Sequence, residues 1–170
     1  MKVLSLLQPW ATLVVIGAKK IETRSWSTKY RGPLLIHASK KMGREQKELI
    51  KSFPFWEALQ NLKELPLGKI IGYVNLDRVI STNDGILKDA VGNEERDFGD
   101  YSPNRYGWLL SKPAAFTNLF PAKGSLGLWD FDYRICRQCG CTDVNCTACV
   151  EKTGQPCSWV KEDLCSACVQ

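Results

Sequence analysis

Residues 5–39, SLLQPWATLVVIGAKKIETRSWSTKYRGPLLIHAS, decide the fold. Gln8 and Pro9 open a helix, because proline lacks only an N–H that the first helical turn leaves unused. Trp10, Leu13, Val14 and Ile16 supply the apolar side of that helix, and Gly17 suits the left-handed residue that ends it. Lys19 to Arg24 then reads as a strand. Side chains of an extended strand alternate faces, so Lys20, Glu22 and Arg24 share one face while Ile21 and Thr23 take the other. A lysine, a glutamate and an arginine pointing the same way form a polar floor suited to a ligand. A solvated edge strand of mixed charge carries the same pattern.

Working outward, Val3 to Leu6 is a short strand feeding the helix, and Tyr30 to Ala38 is a strand whose Leu34, Ile36 and Ala38 alternate with Leu35, His37 and Ser39. Gly43 to Ser52 reads as a charged surface helix. Phe55 to Leu62 reads as a second helix, separated from the first by Pro54, that buries Phe55, Trp56, Leu59 and Leu62. Gly68 to Ile80 has the β-branched alternation of a long strand, with Ile70, Gly72, Val74 and Leu76 on one side. A turn at Asn83, Asp84 and Gly85 leads into helical residues 86–95. Asp97 to Asn104 is loop chemistry. Arg105 to Ser111, Ala115 to Phe120 and Ser125 to Asp132 read as three late strands. Many strands with a few short helices, within about 130 residues, predict an α+β fold built on a small β-barrel with flanking helices.

The chain has 170 residues, enough for one ordinary core and a small accessory module. It contains no run of about eighteen apolar residues and no cleavable leader pattern, so the expectation is a cytoplasmic protein without a membrane segment. Residues 1–49 hold ten Lys or Arg against three Glu, a net +7, while residues 50–133 carry −2 and residues 134–170 carry 0. A basic first third suggests a patch for a polyanion. All eight cysteines lie between Cys136 and Cys168. In a cytosolic chain such a cluster reads as metal thiolates rather than disulfides. The expected division is therefore a barrel over residues 1–133 and a metal-stabilised, cysteine-rich module over residues 134–170.

The segment from Leu4 to Ser39, with RYGWLL and GSLGLWDF later in the chain, closely resembles the ASCH domain family, whose barrel is similar to the PUA family of RNA-binding domains. The resemblance covers roughly residues 2–132, with its signature at Gly17, Lys19, Glu22 and Arg24. It implies that Lys19, Glu22 and Arg24 sit beside a cleft between the barrel and the first helix, where RNA or a nucleotide binds. The residue types agree with that role. Lys19, Lys20, Arg24 and Arg31 can neutralise phosphate, Glu22 can accept from an exocyclic amine, and Trp26 or Tyr30 can stack a base. Lys29, Ser39, Lys40 and Lys41 add charge or hydroxyl groups nearby, whereas Trp10 reads as core and His37, the only histidine, as a hydrogen-bonded structural residue.

Some members of the family hydrolyse the amide of N4-acetylcytidine, and others act on RNA. The hydrolytic members use a Lys, a Thr and a Glu. This chain keeps Lys19 but has Glu22 where their Thr aligns, and Thr23 faces the wrong side of a strand, which removes the expected nucleophile. If chemistry occurs, Lys19 or Lys20 beside Glu22 is the catalytic pair, with Asp97 and Asp100 as weaker candidates.

In the tail, Cys136 and Cys139 form one C-x2-C, and Cys165 and Cys168 form another, with 25 residues between the two motifs. Together they offer four thiolates to one zinc ion. Cys141, Cys146, Cys149 and Cys157 make a second set. One zinc, two zincs or an iron–sulfur cluster all satisfy the pattern. The segment also resembles short cysteine-rich modules appended to phage and bacterial proteins. Its neutral side-chain charge favours stability or contact with a protein partner over a grip on nucleic acid. Three functions stand at this point: RNA or nucleotide binding, hydrolysis of a modified nucleobase or of RNA at the same cleft, and sensing of a small nucleotide by an accessory protein.

Overall fold

The computed structural model describes residues 1–169, apart from the side chains of residues 88–90. Its elements run β1 (Lys2–Leu6), α1 (Trp10–Val15), β2 (Ile21–Arg24), β3 (Gly32–Ala38), α2 (Arg44–Leu49), α3 (Phe55–Leu59), β4 (Lys69–Ser81), α4 (Gly85–Ala90), α5 (Asn93–Asp97), β5 (Tyr106–Pro121) and β6 (Leu128–Asp130). The tail adds α6 (Thr147–Thr153), β7 (Trp159–Lys161) and β8 (Leu164–Cys165). Strands β2-β5-β4-β3-β1-β6 form one six-stranded mixed sheet curled into a half-barrel, in which only β1 and β3 run parallel. The α+β expectation therefore holds.

Both faces of the sheet are covered. Leu34, Ile36 and Ala38 of β3 join Leu4, Leu6, Val74, Leu76 and Trp108 beneath Ala11, Val14 and Val15 of α1. On the other face Leu35 packs with Val3, Ile70, Tyr73, Phe116, Phe131 and Ile135. Ile135 belongs to the tail by sequence and to the barrel by packing. Helix α1 ends on Gly17 at φ +80°, a conformation in which a side chain would be strained. Gly72 lets α1 and β5 approach β4 closely, since a Cβ there would stand 2.5 Å from both Val15 and the Ala114 carbonyl.

Three details differ from the sequence reading, each for a local reason. Register shifts around Ile70 to Asn75 break the period of two in β4, so Ile71, not Ile70, joins Val74 and Leu76. Arg105 to Ser111 and Ala115 to Phe120 are one continuous strand, β5, bent at Lys112, whose φ of +51° precedes Pro113. Helix α3 stops at Leu59 and buries Phe55 and Leu59 only. Trp56 lies on another face of the helix and Leu62 beyond its end, and both are exposed.

Candidate functional site

Lys19 is the most deeply buried charged residue of the barrel among the described residues, at 1% exposure. The turn after Gly17 points its chain inward, where Nζ donates to the Ile21 carbonyl at 2.6 Å and lies 3.8 Å from both Glu22 Oε2 and Glu95 Oε1. Glu95, on α5, clamps the start of β2 by accepting the backbone N–H groups of Lys20 and Ile21 at 2.8 and 3.0 Å. Glu22 Oε1 continues the chain of charges to Arg24 at 3.5 Å. Burial pushes the Lys19 ammonium below its ordinary pKa and the Glu22 carboxyl above its own, while each charge partly holds the other in place. Tyr101 donates to Glu95 at 3.4 Å, and burial raises its phenol well above the ordinary value. The Gly99–Tyr101 segment roofs the pair: a Cβ on Gly99 would fall 3.2 Å from Lys19 Nζ.

A cavity of about 1300 Å³ opens beside this network. Its wall comes from β1, the end of β3, residues 67–69 and residues 121–126. Arg24, Lys40, Lys41, Lys69 and Lys123 line it, and none of its described lining residues is acidic. His37 and Ser5 also line it, with their polar atoms mutually engaged. His37 Nδ1 meets Ser5 Oγ at 3.1 Å, Nε2 meets the Ala122 carbonyl at 3.1 Å, and Trp129 Nε1 donates to Ser5 Oγ at 3.0 Å. Proton on Nε2 and lone pair on Nδ1 satisfy all three groups, and burial lowers the imidazole pKa.

The predicted site residues thus divide. Lys19, Glu22 and Arg24 come together, but only Arg24 borders the cavity. Lys20 presents its side chain to solvent and uses only its backbone on Glu95. Trp26 stands edge-on to Trp108 at 4.7 Å with the Arg24 guanidinium 5.6 Å from its ring, Tyr30 donates to the Pro33 carbonyl, and Arg31 folds back onto the carbonyls of Thr28 and Tyr30. None of the three lines the cavity. Asp97 and Asp100 are exposed. Sequence reasoning missed Glu95, Lys69 and Lys123, because long-range pairing alone brings them near residues 19–41.

In the tail, two groups of four cysteines place their sulfur atoms within 4.8 Å of one another: Cys136, Cys139, Cys165 and Cys168, and Cys141, Cys146, Cys149 and Cys157. These are the sets the spacing had offered. Cys136, Cys141, Cys149 and Cys165 are buried together with Leu164, so thiols form most of this small core. The donor chemistry suits a thiophilic ion held tetrahedrally. Arg134 forks onto Asp143, Trp159 donates to the same carboxylate, and Arg137 pairs with Asp163, which braces the surrounding loops. The Cys139 carbonyl accepts from Asn118 of β5 at 3.0 Å and fixes the cluster against the barrel.

Comparison with known proteins places this geometry in a family. A model of the ASCH domain matches residues 4–118. Activating signal cointegrator 1 of Mus musculus and of Homo sapiens are each 29% identical over 136 residues, covering 78% of this chain and 22% of theirs. The chain therefore spans under a quarter of those relatives. Among solved structures, ASCH from Zymomonas mobilis aligns at a TM-score of 0.49 and 15% identity over 77% of this chain and 87% of that one. A point variant of the same protein aligns at 0.48 over 77% and 90%. No helix among the described residues is long and apolar enough to cross a membrane. With more than half of its residues under the family model, the half-barrel and its buried Lys19–Glu22 pair belong to an ASCH domain.

Proposed function

We propose that the barrel binds nucleic acid, RNA foremost, or a nucleotide through phosphates held in the basic cavity. The observation that carries this reading is the five cations, Arg24, Lys40, Lys41, Lys69 and Lys123, around one hollow without a carboxylate in its described wall. Cations in a low-dielectric concavity attract a polyanion strongly and cost their repulsion when it is empty. Binding of a single-stranded RNA of about ten nucleotides is the test. If all five cations reach phosphates, log affinity falls against log salt with a slope of about −3.5, and changing Lys40 and Lys41 together to Ala shallows it by about 1.4. Absent binding, or a slope that ignores the lysines, refutes the reading.

Hydrolysis of a modified nucleobase amide, or of RNA, at the same cleft has one observation behind it: burial drives the Lys19 and Glu22 pKa values toward each other. Binding is favoured because both groups sit beneath the Gly99–Tyr101 roof and neither lines the cavity. Release of acetate from N4-acetylcytidine, abolished by Lys19→Met, would reverse that preference.

The same reading assigns residues 1–133 to the binding unit and residues 134–170 to a module that holds one or two zinc ions. Gln170 lies outside the described residues. The module adds stability or a contact for a protein partner, and its closely spaced sulfurs suit single ions better than an iron–sulfur cluster.

A further inference from the structure

The two groups of cysteines in the tail are not separate. A third group of four, Cys139, Cys141, Cys149 and Cys165, also brings its sulfurs within 4.8 Å of one another, and it draws two members from each of the other groups. Its edges are regular: Cys139 to Cys149 is 3.7 Å, Cys139 to Cys165 is 3.7 Å, and Cys149 to Cys165 is 3.8 Å. A tetrahedron of sulfurs with arms of about 2.3 Å has edges of about 3.8 Å. The triangle is therefore one face of a tetrahedron ready for an ion. By this measure the middle position is better formed than the end position at Cys146 and Cys157, whose sulfurs stand only 2.9 Å apart and must spread to take an ion.

Charge argues in the same direction. Metal ligation requires thiolates. Two divalent ions in the outer positions leave eight thiolates with a formal charge of about −4, whereas three leave about −2. With only two ions, the Cys139 and Cys149 thiolates, each held by a different metal, would touch at 3.7 Å with nothing positive between them. Cys141, Cys149 and Cys165 are buried, so water does little to screen that repulsion. Nor do the nearby cations help, since Arg134 and Arg137 are bound to Asp143 and Asp163 and Lys152 donates to the Ala167 carbonyl. A third ion in the middle tetrahedron removes the conflict.

We propose that the tail holds one thiolate-bridged cluster of three divalent ions, with Cys139 and Cys165 bridging the first ion to the middle one and Cys141 and Cys149 bridging the middle ion to the third. Cys136 and Cys168 cap one end, and Cys146 and Cys157 the other. This rests on the reading of the tail as a zinc module and deepens it, replacing one or two separate ions by three joined ones: each bridging sulfur is shared, so the ions load as a set rather than independently.

The test is a titration of the intact, reduced, metal-stripped chain with 113Cd2+ in the absence of oxygen, read by metal count and by 113Cd NMR. Three ions per chain, giving three resonances with the middle one coupled through sulfur to both neighbours, are expected. Two ions per chain with uncoupled resonances overturn the bridged cluster and leave the zinc reading standing. No bound cadmium overturns both. A zinc count on the untreated protein reads the same number without any refolding: three supports the bridged cluster and two refutes it.

Discussion

The barrel and the tail are built from opposite materials. The barrel buries Leu, Ile, Val and Trp108 on both faces of its sheet and admits a few charged groups that satisfy one another. In the tail, Val150 and Val160 are exposed, Ile135 is lent to the barrel, and apart from Gly140 and Thr142 what remains buried among the described residues is Leu164 with a knot of cysteines. Burial of apolar area holds the first at roughly 25 cal/mol per Å², while a segment of this size has too little such area to offset its chain entropy. The difference teaches that stability of the two regions answers to different reagents. One is broken by cavities and buried charge, the other, on the proposed zinc reading, by loss of a cation.

The largest separation between them is expected on chelation. Structural zinc contributes on the order of 10 kcal/mol to modules of this kind, so stripping the metal unfolds the tail and leaves the barrel folded. All eight thiols should then react at once with a thiol reagent, while amide exchange of β3 and β4 stays slow. Slow thiols after complete metal removal would show that the tail has a core of its own.

A smaller effect, confined to the barrel, is expected from Lys19→Met. The substitution removes the buried ammonium and leaves Glu22 only the partly exposed Arg24 guanidinium, and breaking a buried pair from one side costs up to about 3–5 kcal/mol. The denaturant midpoint should fall with no change in bound metal. Lys19→Met combined with Glu22→Gln should recover part of the loss, because the stranded charge is gone and Glu95 keeps its backbone donors at Lys20 and Ile21. A loss below about 1 kcal/mol would mean that water reaches the pair and that the Gly99–Tyr101 roof opens readily.

These contrasts also explain what the sequence revealed. The helix after Gln8, the glycine that ends it, the alternating β3 and the cysteine groupings depend on neighbours within a few residues, and spacing displays them. The bulged register of β4 and the unbroken β5 depend on what packs against them, and local pattern hides that. The site shows the same split. Lys19, Glu22 and Arg24 were visible as a cluster on one short segment, but strict alternation put Lys20 in place of Lys19 on the Glu22 face, because it ignored the turn that sends Lys19 inward. Glu95 joins from α5, and Lys69 and Lys123 reach the cavity from strand ends far along the chain. The third cysteine group, which draws two members from each of the others, is likewise a property of the folded tail.

The smallest effect concerns His37, and it sharpens the contrast because the tail contains no histidine. Its neutral ring ties β1 to the segment after β5 by meeting Ser5 Oγ and the Ala122 carbonyl. Burial holds its folded pKa below the unfolded value of about 6.5, and the hydrogen bond to the Ala122 carbonyl offsets only part of that shift. The folded state therefore binds fewer protons than the unfolded state in this range, so stability rises with pH. The contribution is complete above about pH 6.5 and is lost as pH falls from there through the folded pKa, at no more than about 1.4 kcal/mol per unit. His37→Gln should be less stable at neutral pH and should flatten the profile between about pH 5.5 and 7, a window above most carboxylate titrations. Parallel profiles for the two proteins would place the ring in contact with water and remove His37 from the account of what holds the cavity wall.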